Sequence, residues 1–310
     1  MTQSGGSQEK PVRGPWARLS DHAWFLLVAT MFMWGANAPV LKLGTGEISP
    51  MTVVVLRWAL VGFAVLAFRP PTFASDLRAA LRRPLYVGGM AALMTISNAA
   101  IFIGAQHTTG INLSILQGVS PVLVMFGAWL WFRTPIGPVR MAGLIISTLG
   151  VLMLATQGNV FALGDIKLNV GDSLMLLSVV MYTIYVLALR YRPAMPNYSF
   201  YCCIALFSLL VSTPMLGVEM ALGMTYLPSW KGLLVLLYVA AFTSMLGQIF
   251  FMRAIELVGP GRAALFQNLA PVIGSVLSVM ILSEPFAWYH GLALLLVTGG
   301  ILIAERYGSR

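Results

Sequence analysis

Charge is what this chain has least of: Asp, Glu, Lys and Arg make up 9% of 310 residues, against 58% hydrophobic residues and a mean hydropathy of +0.84. A soluble domain carries about a quarter charged residues, so a soluble fold is excluded and an integral membrane protein is expected. Cysteine is also scarce, with only Cys202 and Cys203. Neighbours on one helix point to different faces and cannot close an ordinary disulfide. The three histidines, His22, His107 and His290, stand far apart, and no H-E-x-x-H, G-x-S-x-G or paired-aspartate pattern occurs. These absences speak against a metal centre and against an intramembrane enzyme, and no cofactor is expected. Missing too is the apolar–polar alternation of a transmembrane barrel, since runs such as GLLVLLYVAAF are apolar on every side.

What the chain does have is ten windows long enough to span a bilayer, for which about 20 mostly apolar residues are needed. They cover residues 23–43, 51–68, 85–104, 109–131, 138–156, 169–190, 198–218, 230–252, 261–282 and 287–304. The expected fold is therefore all-α, with ten transmembrane helices. The polar residues 1–20 carry Lys10, Arg13 and Arg18 and show no cleavable signal pattern, so the first window is expected to serve as an uncleaved signal. Alternate loops hold Arg69, Arg78, Arg82, Arg83, Arg133, Arg140, Arg190, Arg192, Arg253 and Arg262, whereas the loops between them hold only Lys167 and Lys231. By the positive-inside rule both termini face the cytoplasm. The net charge of +9 then reflects helix orientation and does not point to nucleic acid.

Sliding the chain by 150 residues aligns Gln117 with Gln267, Pro121 with Pro271, Val122 with Val272 and Pro135 with Pro285, and sets Asn98 against Gln248. A shift of 148 places Trp34 on Tyr182 and Lys42 on Arg190. Two five-helix halves follow, residues 21–156 and 169–306, joined by an external linker at 157–168 and flanked by cytoplasmic tails at 1–20 and 307–310. Five crossings per half invert the second half relative to the first, an arrangement common among secondary transporters.

Amides inside hydrocarbon are costly unless paired, and tend to face a bundle interior or a wet cavity. Trp34, Asn37, Asn98, Gln117, Tyr182, Tyr185, Gln248, Gln267 and Asn268 are the candidate substrate-binding residues, with Ser275 and Ser278 beyond them. Pro121 and Pro271 each remove a backbone hydrogen bond and are candidate hinges. Arg57 lies about 10 Å inside its helix end at 1.5 Å per residue. It is a candidate gate through Asp172 or an attractor for a substrate carboxylate; snorkelling or a structural ion pair would account for it equally. The amides could equally bond helix to helix, and the tyrosines could be packing. Gly143, Ser147 and Gly150 form a small-residue stripe that admits a homodimer as well as a monomer.

The stretches WGANAPVLKLG, LRWALVG and FFMRAIELVGPGRAALFQNLAPV, followed by SEP, together resemble the drug/metabolite transporter superfamily, in its ten-helix EamA-type branch. The resemblance implies two inverted five-helix units. Helices 1–4 and 6–9 would surround a central cavity, helices 5 and 10 would lie outside it, and Trp34, Asn37, Gln117, Gln267 and Asn268 would line the cavity wall. One departure is that Glu284 has Thr134 as its counterpart where the family often repeats the acid.

No Asp or Glu falls near the middle of any window, so a proton relay or a strong dication site has no carboxylate to use. Amides and hydroxyls can bond both ends of a zwitterion while aromatic faces take an apolar side chain. The expectation is an alternating-access exporter of amino acids, aromatic or otherwise neutral, and related small metabolites in the cytoplasmic membrane. The alternatives are a carrier of sugars, nucleosides or lipophilic cations, a channel, or an enzyme.

Overall fold

The structure is a computed structural model that describes residues 22–133, 137–156, 158–159, 169–258, 266–267 and 269–307. All of the linker at 157–168 except residues 158–159, and the candidate Asn268, lie outside the described residues. All regular structure among the described residues is helical. Seven helical stretches are long and apolar enough to cross a membrane: Ala23–Leu43, Pro50–Ala67, Pro84–His107, Gly110–Phe132, Val170–Tyr191, Asn197–Ala221 and Trp230–Val258. Three shorter apolar stretches, Met141–Gly150, Leu269–Leu282 and Trp288–Ile303, fall in the other three windows.

In chain order the helices are α1 (Ala23–Gly35), α2 (Asn37–Leu43), α3 (Pro50–Ala67), α4 (Phe73–Leu81), α5 (Pro84–His107), α6 (Gly110–Gln117) and α7 (Ser120–Phe132). Then follow α8 (Pro138–Ala155), α9 (Val170–Ala188), α10 (Asn197–Ala221), α11 (Trp230–Tyr238), α12 (Gly247–Val258), α13 (Leu269–Leu282) and α14 (Trp288–Tyr307). Helix starts follow local chemistry. Prolines open α3 and α5, where the missing N–H costs nothing. Thr109 and Ser229 accept from the amides of Asn112 and Gly232 at the starts of α6 and α11. Asn169 and Asp172 form a reciprocal capping box on α9.

Three of the expected spans are interrupted. The first breaks at Ala36 between α1 and α2, and the fourth at Gly118–Val119 between α6 and α7. The eighth passes through a π-helical segment, Val239–Leu246, between α11 and α12. Pro121 stands in the first turn of α7, two residues after Val119 of the break. The amphipathic α4, whose buried residues are Phe73 and Ala80, was not foreseen because its nine residues form no spanning window.

Packing joins the two halves throughout. α5 lies on α9, and α1 on α12; α3 packs on α10, and α6 on α13; α7 contacts α9, and α13 contacts α1. α8 and α14 pack on each other and reach the remainder through α6. Their contact uses the small residues: Ser147 Oγ donates to Val297 O at 3.2 Å, and a Cβ on Gly150 would meet Ala293 O at 2.9 Å. The small-residue stripe, which admits a homodimer as well as a monomer, thus lies against α14 within the chain.

Candidate functional site

Four carboxylates gather on one face, and each bridges the halves. Glu284 accepts from the backbone N–H groups of Gly110 and Ile111 at 2.7 and 3.0 Å, capping α6. Glu219 accepts from Met51 N–H at 3.1 Å, capping α3. Asp172 takes the Thr108 hydroxyl and, at 3.2 Å, the Asn112 amide. Glu47 takes the Ser229 hydroxyl and stands 3.7 Å from Lys231. A helix N-terminus presents unsatisfied N–H donors and a partial positive charge, so a carboxylate there is doubly favoured. Lys42 donates from Nζ to Ala105 O at 3.1 Å, near the end of α5.

Below this acidic face α6 and α13 touch through small residues. A Cβ on Gly118, just past α6, would meet Pro271 Cγ at 2.9 Å, and one on Gly274 would meet Ser114 Cβ at 3.0 Å as well as Gly35 O of α1 at 2.9 Å. Such contact leaves no room between these helices. The opposite, basic face is held differently: Tyr86 donates to Ala188 O at 2.7 Å, and the Arg190 guanidinium sits 4.5 Å above the Phe132 ring. Near it the Trp24 and Phe266 rings lie 5.4 Å apart.

Between the faces, the breaks in the first and eighth spans meet. Trp34 Nε1 donates to Thr243 O at 3.1 Å, and the Thr243 hydroxyl donates to Asn37 Oδ1 at 3.3 Å. Trp34 also packs on Phe251, centroids 4.9 Å apart. The Tyr238 hydroxyl donates to Met33 O at 2.8 Å and the Tyr201 hydroxyl to Ser244 O at 2.5 Å. Irregular backbone at such a depth is tolerated where protein or a wet cavity surrounds it, and π-segments recur at functional sites. Thr243, Tyr238 and Tyr201 join the candidates. Sequence reasoning missed Thr243 because the π-segment contains no proline.

Other candidates are brought together in different pairs. Arg57, 5% exposed, donates from Nη1 to Asn98 Oδ1 at 3.0 Å, and Asn98 Nδ2 donates to Met94 O at 2.6 Å. The expected partnership of Arg57 with Asp172 is not formed: Asp172 is consumed by Thr108, Asn112 and the start of its own helix. Nor does Arg57 snorkel, since it is buried. Tyr182 and Tyr185 stack with centroids 6.0 Å apart, Tyr185 buried and Tyr182 37% exposed. Gln117 is exposed beside the break in the fourth span, and Gln248 and Gln267 are half-buried; none of the three bonds another described residue. Pro271 is buried against Gly118. The Ser275 and Ser278 hydroxyls are buried without a partner among the described residues. A hollow of about 460 Å³ between α7 and α9 is lined by apolar side chains and Thr183 and holds none of the sequence-derived candidates.

The EamA-like transporter family model matches this sequence twice, over residues 22–156 and 169–305. The chain belongs to the EamA-like transporter family. This EamA-like protein is 23% identical over 289 residues to the uncharacterized transporter YyaM of Bacillus subtilis, covering 91% of this chain and 93% of that one. It is also 23% identical over 288 residues to the uncharacterized inner membrane transporter YedA of Escherichia coli K12, covering 89% and 88%. A solved crystal structure shares the fold at a TM-score of 0.64 and 18% identity, over 93% of this chain and 98% of that one. The EamA-like chain is thus a multi-pass membrane transporter. Its relatives are named as transporters, in keeping with a non-enzymatic role.

Proposed function

We propose that the protein is an alternating-access carrier of the cytoplasmic membrane, exporting neutral amino acids and related small metabolites. In this reading ten helices cross the bilayer in two inverted halves with both termini cytoplasmic. The halves are supported by the main pairings between spans, several of which are kept when each span is exchanged with the one five later: first on eighth maps to sixth on third, and ninth on first to fourth on sixth. They are supported further by Arg133 and Ser283, each following the last residue of its helix with φ at 52° and related by the same 150-residue shift as Pro135 and Pro285.

The observation that carries the functional reading is the meeting of two interrupted spans at Trp34, Asn37 and Thr243, between a closely bonded acidic face and a more lightly bonded basic one. Broken helices near the midplane are where such carriers hold solute. Gln117, Gln248 and Gln267 contribute amides that remain available to a ligand. The geometry fits a state closed on the acidic face, which the positive-inside rule puts outside.

Counterflow in proteoliposomes tests this. Labelled tryptophan or threonine is supplied outside, with unlabelled amino acids, sugars or organic cations inside. Transient accumulation driven by internal amino acids is expected. Accumulation driven by sugars or cations alone would replace the substrate class, and linear, non-exchanging flux would replace the carrier with a channel. Changing Gln117 and Gln267 together to Ala is expected to lower exchange with folding intact.

A further inference from the structure

We propose that Arg57 is the anion-binding residue of the transport site, and that the solute is an organic monocarboxylate held through its carboxylate; this rests on the carrier reading above. Arg57 is buried to 5% exposure in the second turn of α3. A guanidinium has five N–H donors, yet among the described residues only Nη1 has an acceptor, Asn98 Oδ1 at 3.0 Å. Nε is buried with no partner among the described residues. The Trp58 and Phe102 rings, 4.4 and 5.9 Å from the guanidinium carbon, favour a cation but accept no strong hydrogen bond.

The carboxylates of the acidic face are all engaged elsewhere. Glu47, Asp172, Glu219 and Glu284 bond Ser229, Thr108, Met51 and Gly110 respectively, so none of them meets Arg57. A charge kept inside a membrane protein without a counter-ion marks a functional position. With Nη1 held by Asn98, the Nε–Nη2 edge remains, which is the edge that matches a carboxylate with two parallel bonds. One cation among neutral groups balances one negative charge, so a dianion would be left half-compensated and a cation repelled.

Phe102 also borders a hollow of about 10 Å³ that Thr45, Ile48 and Gln106 line toward the acidic face. That space holds about one water, too little for a solute. Phe102 thus touches both the Arg57 guanidinium and this small hollow.

The test uses the full-length protein with Arg57→Gln and Arg57→Lys variants and paired probes with and without the carboxylate: tryptophan and tryptophanamide, threonine and threoninamide, benzoate and benzamide. Melting temperatures at fixed ionic strength are expected to rise with the acids but not the amides. The concentration needed should increase about tenfold or more in Arg57→Gln and less in Arg57→Lys. Amides as effective as acids, no acid acting on the wild type, or unchanged response in Arg57→Gln would overturn the proposal. If the Gln variant does not fold, the acid–amide contrast in the wild type and the Lys variant decides. Counterflow with the same pairs separates the two readings: acid-dependent stabilisation without exchange would sink the carrier and leave the anion site standing.

Discussion

The two ends of the helical bundle are fastened by different chemistry. On the acidic face, carboxylates bond the amides and hydroxyls at helix starts across the two halves. On the basic face, Tyr86 on Ala188 O and rings such as Phe132 and Trp24 make the contact. Charge-assisted bonds are about twice as strong as neutral ones and have narrow geometry, whereas aromatic contacts slide with little loss. A bundle fastened this way favours one arrangement: shut where the carboxylates are, readier to part where the rings are.

Replacing Glu284 by Ala attacks that difference most directly. It leaves two helix-start N–H groups without their acceptor and is expected to cost about 2 to 3 kcal/mol, read by thermal melting in detergent. A cysteine placed at Gln106 in the same variant should be labelled faster by a membrane-impermeant maleimide. Next in size is Gly274→Ala, whose new methyl meets Gly35 O and the Ser114 side chain. Forcing those helices apart is expected to cost about 1 to 3 kcal/mol and to slow exchange in proteoliposomes. Tyr86→Phe removes the neutral bond on the basic face and should cost about 1 kcal/mol or less. A loss equal to that of Glu284→Ala would erase the contrast between the faces. Smallest is Glu256→Gln, which breaks an exposed pair with Arg253 at 3.1 Å; the melting temperature should not move measurably.

Spanning windows were legible because hydropathy is a local property: Ala23–Leu43 in the structure has the bounds read from the sequence. The acids could also be located at window ends, but their partners could not, since Glu284 and Gly110 are joined only by the packing of α13 on α6. The break at Ala36 left a signal that went unread, Pro39 in the first turn of α2, where a continuous helix would need its missing N–H. The π-segment left no such mark, because VAAFTSML is as compatible with an ordinary helix, and its Thr243 and Ser244 carbonyls are bonded by Trp34 and Tyr201, which lie far off in sequence. Arg57 was visible as an anomaly from its position alone. Only the structure shows that Asn98, and not Asp172, is beside it.

The mutual packing of α8 and α14 has a consequence for how the chain is made. α8 emerges from the ribosome well before α14, and its Ser147 and Gly150 have no lasting partner until α9 to α14 have been synthesised and inserted. Domains otherwise assemble from the N-terminus onward during synthesis, but here the earlier half carries an uncovered small-residue surface through the whole translation of the later one. Biogenesis of the two halves is therefore coupled at the last step, and a defect in α14 strands α8 as well.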